Sequence, residues 1–444
     1  MRQKRHHRWP GWAVGTAVVL GAFWLAGCSY EQNDRRTEIV LYDFAYVNWT
    51  AMNRERIKVF EAQNPDLRVR LVTGDYSKLL TMVAGGVAPD VAYIDYVYVP
   101  YFAKRGVIVC LDERIAAAGP DFLDRFFTAT LEGVRYQGRL YGLPDAWSPV
   151  LLYYNKTLFE DYNRAHPEAP LTLPGAAWTW DEFRRAAKAL TADLDGDGRT
   201  DRYGALVPGS HHRWPIFVWQ NGGEVTSADH RRCLMDTPEA IGGIQFLYDL
   251  MFVDKSMPSA LTQLEGVAEQ SMNRWFAEQR LAMIYTTRYY QQDLAEVGGF
   301  EWDVAPLPQR RNRSTIYIGG TWLLFSQSLK QDAAWRLMQF LSDDASSEMS
   351  MGCGRALAAN RRTAARLTTH PGTPPANDAA FVEYGDLARA KKFEYLDISK
   401  ACHDAFQEID LVRQGLRRPE DACRNYTRIM NAALDTLWRE KGGP

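Results

Sequence analysis

Asp193-Leu194-Asp195-Gly196-Asp197-Gly198-Arg199-Thr200-Asp201 places carboxylates at positions 1, 3, 5 and 9 of a loop with glycine at position 6. A hard cation collects oxygen ligands at this spacing, and the Arg199 carbonyl stands at position 7 to supply another. Four carboxylates so close together repel one another; Ca2+ would neutralise them and stiffen the turn. Position 12, where a bidentate glutamate ordinarily completes the shell, is Gly204, so a solvated acidic turn stays open as the alternative. Asp43, Asp95 and Asp145 invite a different chemistry, general acid/base work on a polysaccharide. That needs two groups at a defined separation with suitable pKa values, and no local motif designates a pair. The chain also has no glycine-rich, lysine-bearing loop of the kind that cradles nucleotide phosphates.

The N-terminus carries Arg2, Lys4, Arg5 and Arg8, then an uncharged run from Trp12 to Ala26. That length suits the apolar core of an export signal and is short for a bilayer span. Leu25-Ala26-Gly27-Cys28 resembles the bacterial lipoprotein box. The resemblance implies removal of residues 1–27, a thioether-linked diacylglycerol on Cys28, and a lipidated tether over 28–37. An anchor helix with an accidental cysteine is the competing reading. The mature chain is then extracytoplasmic and lipid-anchored to a bacterial membrane.

Losing four basic and no acidic side chains takes the formal net charge from -2 to -6. A mildly acidic body is not a nucleic-acid binder, which would need a basic face for phosphates. The remaining length exceeds one ordinary core and predicts two domains. Beyond Cys28, five cysteines remain, Cys110, Cys233, Cys353, Cys402 and Cys423. Their odd number prevents complete pairing within the chain. Cys402 and Cys423 fall on two predicted helices and could form a clasp. No Cys/His cluster has zinc spacing.

The elements that position these residues alternate. Glu38–Phe44 reads as a strand, Trp49–Phe60 as a helix, Leu67, Val69 and Leu71 as a strand, and Leu79, Leu80 and Val83 as a short helix ended by Gly85-Gly86. Pro89–Asp95 reads as a third strand. A mainly parallel sheet covered by helices follows. Asn155 is placed to cap the next helix, and Thr179 with Glu182 forms a capping box. Ala333–Phe340 is helical, and Pro419 opens a last helix with a stripe through Tyr426, Ile429, Met430, Ala433, Leu434 and Leu437. Val150–Tyr154 and Ala282–Tyr285 read as crossings between lobes, and His370–Pro375 as a surface connection.

Several landmarks stand in order along almost the whole mature chain: Tyr141-Gly142-Leu143-Pro144, Tyr153-Tyr154-Asn155-Lys156, Trp178–Phe183, Trp219-Gln220-Asn221-Gly222-Gly223, Ala282-Met283, Trp302–Pro308 and Ile318-Gly319-Gly320. This series resembles the bacterial extracellular solute-binding proteins, in their sugar-binding, maltodextrin-binding-protein-like branch that feeds ABC importers. The resemblance implies an α/β, two-lobed periplasmic-binding-protein-like fold with a central cleft and hinge crossings. It places 38–146 and 287–341 in a first lobe, and 147–286 and 342–444 in a second. It implies a non-catalytic monomer that captures an oligosaccharide or sugar derivative by interlobe closure. The partners implied are permease subunits and, indirectly, a cytoplasmic ATPase; no cofactor is required for binding.

Within that frame the loop tryptophans Trp147, Trp219 and Trp322, and less strongly Trp214, are candidate platforms for the apolar face of a pyranose. Asp43 and Asp95, at the C-terminal ends of predicted strands, are candidate hydroxyl acceptors. Arg288 is a candidate donor, and Tyr384 a further contact from a late loop. Competing readings are a binder of peptides, polyamines or another small solute, and an exported polysaccharide-active enzyme.

Overall fold

The computed structural model describes residues 36–44, 47–208, 213–259, 274–295, 297–352, 354, 356–368, 374–390 and 399–440. The export leader, Cys28 and most of the His370–Pro375 connection lie outside them. Among the described residues no helix is long and apolar enough to cross a membrane.

The strand and helix alternation of the first third is present as expected. β1 (Thr37–Phe44), α1 (Val47–Gln63), β2 (Leu67–Gly74), α2 (Tyr76–Ala84) and β3 (Val91–Asp95) follow one another. β1 pairs in parallel with both β2 and β3, the arrangement that helical crossovers impose. Asp75 caps α2 by accepting from Lys78 N at 2.8 Å.

β4 (Gly142–Pro149) runs through Val150 into β5 (Leu151–Asn155), which belongs to a different sheet. Asn155 caps α3 (Lys156–Ala165) through Leu158 N at 3.0 Å. Thr179 and Glu182 close the expected capping box on α4 (Trp180–Leu190). α5 (Pro215–Gln220) and α6 (Pro238–Tyr248) follow, and then β6 (Met283–Thr286) and β7 (Trp302–Ala305) flank β5 in an antiparallel three-stranded sheet. This gives the second lobe its centre.

β8 (Thr315–Leu324) returns to the first sheet and lies antiparallel between β3 and β4. The large sheet is therefore mixed, and not mainly parallel as the alternation alone predicts. Gly319-Gly320 has a packing reason here: a Cβ on Gly320 would stand 2.2 Å from the Tyr93 ring, and one on Gly319 2.7 Å from Trp147 Cβ. α7 (Gln331–Leu341) and α8 (Asp344–Gly352) cover this sheet, β9 (Leu357–Ala358) adds to β4, and β10 (Ala388–Arg389) pairs with the start of β8. α9 (Ser399–Arg413) and α10 (Pro419–Glu440) close the chain, and Cys402, Phe406, Tyr426 and Leu434 from them join the second core.

Three stretches of chain run side by side where the lobes meet. Val150 N donates to Ile316 O at 2.9 Å, Thr315 Oγ1 donates to Val150 O at 2.6 Å, and Thr315 is in register with Ala388. The crossing expected at Ala282–Tyr285 is instead β6, inside the second sheet. The span 342–444 is also divided: β9 and β10 belong to the large sheet and α9 and α10 to the second core. Likewise Trp302–Ala305, placed by sequence in the first lobe, pairs with β5. Strand pairing overrides chain proximity in each case.

Candidate functional site

An open cleft of about 520 Å³ lies between the lobes. One wall is the helix Thr128–Gly133, packed on the first sheet through Ala129; the other is the stretch from Trp219 to His230 at the end of α5. The floor is Asp386 to Ala390, beside the hinge. Arg389 organises this floor. Its guanidinium makes two bonds to Glu224, at 3.0 and 2.6 Å, and lies 4.3 Å from the centre of the Trp219 ring. Trp219 is consequently buried to 3 % exposure. Asp386 is held by Arg361 at 2.7 and 2.8 Å, and Glu132 by Arg135 at 3.1 Å. The cleft thus offers oriented carboxylates, one guanidinium, hydroxyls from Thr128 and Thr226, and an indole edge, which together suit a ligand that both donates and accepts hydrogen bonds.

Of the eight candidates named from sequence, Trp219 lines this cleft. Trp147 and Trp322 are core residues: both are fully buried, Trp147 donating to Ala358 O at 3.2 Å against Phe127 and Tyr317, Trp322 packed edge-on to Tyr93. Trp214 is buried against Phe406 and Tyr426 of the last two helices. Tyr384 lines a separate small crevice with Leu151 and Thr315. Arg288 forms a buried ion pair with Asp378, at 2.9 and 3.1 Å, while its backbone N donates to Ser148 Oγ. Asp95 sits at the end of β3 and accepts from Val97 N at 3.3 Å as the cap of a short turn. The placements of Trp147, Trp322 and Arg288 follow one physical rule: a tryptophan in a strand interior, or a charge beside an opposite charge in a dry site, is used by the fold first.

Asp43 and Asp145 belong to a buried polar network. Arg56 holds Asp145 bidentately at 2.9 and 3.1 Å, bonds Ser346 Oγ at 2.6 Å, Leu341 O and Asn53 Oδ1, and leaves Asn53 Nδ2 to donate to Asp43 Oδ2 at 2.8 Å. Burial pushes the Asp43 carboxyl up to about 6, with the nearby Asp145 charge adding to the effect against the Asn53 bond. Neither carboxylate stands where an acid/base pair could reach a glycosidic bond, because both side chains are enclosed.

Residues 47–348 match the family described as bacterial extracellular solute-binding protein. The chain belongs to that family. As a solute-binding protein it is 26% identical over 295 residues to a binding protein of Brucella abortus, covering 64% of this chain and 66% of that one. It thus spans just under two thirds of that relative's length. It is 23% identical over 316 residues to the maltotriose-binding protein of Pyrococcus abyssi, covering 70% of this chain and 61% of that one. Among solved structures, a Listeria monocytogenes ABC substrate-binding protein in complex with cycloalternan superposes with a TM-score of 0.74 at 24% identity, over 92% of this chain and 100% of that one.

In this solute-binding protein the cleft floor is what sequence reading missed. Glu224 lies five residues beyond Trp219 and was within reach of the same motif, but Arg389 sits in the two-residue strand β10, too short to have a periodicity that would mark it. The acidic loop follows α4 in the chain. Single carboxylate oxygens of Asp193, Asp195 and Asp197 lie within 4.8 Å of one another, a weak cluster able to chelate a cation. Gly196 and Gly198, at φ 79° and 84°, allow the tight turn. Backbone N–H bonds from Gly198 and Gly196 hold Asp193 below the usual carboxylate range. Asp201 turns inward instead, accepting from Leu194 N at 2.6 Å, and Arg199 N donates to Asp197 Oδ1 at 2.8 Å. Cys402 and Cys423 are both buried and no disulfide joins them, so the clasp that their helices allowed is not formed; Cys233 lies against Thr427 of α10.

Proposed function

We propose that this protein captures a carbohydrate, an oligosaccharide or sugar derivative, in the cleft between its lobes, closes on it, and hands it to the permease subunits of an ABC importer powered by a separate cytoplasmic ATPase. The observation that carries this is the cleft beside a three-stranded hinge, with Trp219, Arg389 and Glu224 meeting at its floor. Arg389 covers the indole face, so a sugar ring takes either the ring edge or, after Arg389 swings aside, the face itself. Glu224 and Asp386 accept hydroxyl protons and Arg389 donates to ring or hydroxyl oxygens. Closure removes these contacts from water without breaking a bond in the ligand. The maltotriose named for the Pyrococcus relative and the cycloalternan in the Listeria complex support a sugar as the ligand class.

The further parts of the reading are these. Cys28 carries the lipid that holds the protein outside the cytoplasm, the Asp193–Asp201 loop binds Ca2+ as a structural ion supporting α4, and the protein acts as a monomer. Calorimetry with a panel of neutral oligosaccharides, uronates, peptides and polyamines tests the ligand class. Binding of an oligosaccharide that is recovered unchanged supports the proposal. Binding of a polyamine alone, or hydrolysis of the sugar, refutes it.

A further inference from the structure

Two buried thiols meet the same stretch of α10. Cys233 Sγ is 3.8 Å from Thr427 Oγ1, and Cys233 N donates to Asn431 Oδ1 at 2.8 Å. Thr427 stands one turn beyond Cys423 and one turn before Asn431. Cys423, Thr427 and Asn431 therefore form a row on one helix face, successive side chains about 6 Å apart. Cys233 lies along that row, its backbone at the Asn431 end and its sulfur displaced toward Cys423. Cys423 and Cys233 are 0 % and 2 % exposed, in a dry core with Met235, Tyr426 and Met430. Beyond the effect of burial, a charge on Cys233 raises the Cys423 thiol further, so the two sulfurs are near enough to feel each other.

Cys233 also ends the hairpin that walls the cleft. Ser227 N donates to Arg232 O at 2.8 Å, Leu234 N donates to Val225 O at 2.9 Å, and Thr226 is bridged to Cys233. Thr226, Ser227 and His230 line the cleft. A covalent link at Cys233 would join that wall to a helix 190 residues later in the chain, and a link that closes so long a loop removes much freedom from the unfolded chain.

We infer that Cys233 and Cys423 form a disulfide when this chain folds outside the cytoplasm, stapling the cleft wall to α10. The inference rests on the export reading of the N-terminus, because a reducing cytoplasm keeps such thiols unpaired. The bond forms by exchange with a disulfide-bearing oxidant. One cysteine thiolate, still exposed in the folding chain, attacks a sulfur of the oxidant and gives a mixed disulfide. The second thiolate attacks the chain's own sulfur in that bond and expels the oxidant's remaining sulfur. The chain loses two protons and two electrons, and the oxidant's disulfide leaves as two thiols. Docking of α10 then encloses the bond. Protein made without an oxidant keeps both thiols reduced and enclosed; in that state native labelling reaches neither and unfolding exposes both.

The mature chain is unfolded under reductant and refolded in mixed oxidised and reduced glutathione, beside a sample refolded in reduced glutathione alone. Both are digested without reductant and analysed by mass spectrometry, a test that does not depend on export. In the oxidised sample the peptides bearing Cys233 and Cys423 should travel as one species, two hydrogens lighter than their sum. Reduction should lower the melting temperature by on the order of 5 °C. Cys233→Ala and Cys423→Ala should each abolish the joined species and the response to reductant. Separate, reduced peptides after oxidative refolding, or Cys423 joined to Cys402 or another cysteine instead, would overturn the inference. Mass spectrometry of the N-terminus of protein recovered from cell envelopes separately decides whether the leader is removed.

Discussion

Arg56 and Asp145 face each other through two parallel bonds of 2.9 and 3.1 Å with side chains 0 % and 1 % exposed, tying α1 to β4 beneath the loops that lead to the cleft. Desolvating both charges is costly, so the pair is worth little net, yet losing one member strands the other. Asp145→Leu should therefore destabilise by about 3–5 kcal/mol. The double change Arg56→Met with Asp145→Leu should recover much of that loss. Denaturant unfolding of the cycle measures both; additive losses in the double variant would mean the two charges do not act as a pair.

Asp43 makes stability depend on pH in the direction opposite to most carboxylates. Its folded value, about 6, lies above the ordinary 3.8, so the folded state holds a proton that the unfolded state releases. Its contribution is complete below about pH 4 and is lost as pH rises through about 6, at a cost on the order of 3 kcal/mol. Asp43→Asn should be the more stable protein at pH 7 and should flatten this slope. Melting curves from pH 4 to 8 check it; a variant less stable than the parent at pH 7 would contradict the burial argument.

The acidic loop should respond to Ca2+ in proportion to how completely its carboxylates converge. Adding Ca2+ should raise the melting temperature, and Asp193→Asn with Asp195→Asn should abolish the rise, since stabilisation follows occupancy of the folded state alone. A melting temperature indifferent to Ca2+ and to chelator would mark the loop as a solvated turn whose backbone bonds are sufficient.

The buried thiols should be inert. Burial pushes Cys233 up to about 11 and Cys423 up to about 12, leaving almost no thiolate at neutral pH. Labelling under native conditions should reach neither, whereas both should react after unfolding; rapid native labelling of either would show that α10 opens readily.

The parts of this protein legible in its sequence are those governed by local rules. The caps at Asn155 and Thr179, the alternation of β1 to β3, and Pro419 at the start of α10 each depend on neighbours a few residues away, and each is present. Gly319-Gly320 was visible as a landmark, but its reason, room for Tyr93 and Trp147, is a contact between strands far apart in the chain. The site was harder to read. Trp147 and Trp322 carry the same side chain as Trp219, and what separates them is tertiary position: the first two lie within β4 and β8 in the core of the large sheet, while Trp219 lies near the end of α5 beside the cleft. Sequence places Asp43 correctly at the end of β1, yet α1 brings Asn53 and Arg56 over it. Arg389 offered no signal, because a two-residue strand has no period.

Closure around a sugar at the Trp219–Arg389 floor is tested most directly by titrating the mature protein with an oligosaccharide panel by calorimetry, alongside Trp219→Phe and Arg389→Leu variants whose folding is verified by their melting curves. The account predicts that one or more sugars bind the parent without being consumed and that each variant loses about tenfold or more in affinity, ~1.4 kcal/mol. Full affinity in both variants, or no carbohydrate bound by the parent at all, would contradict it.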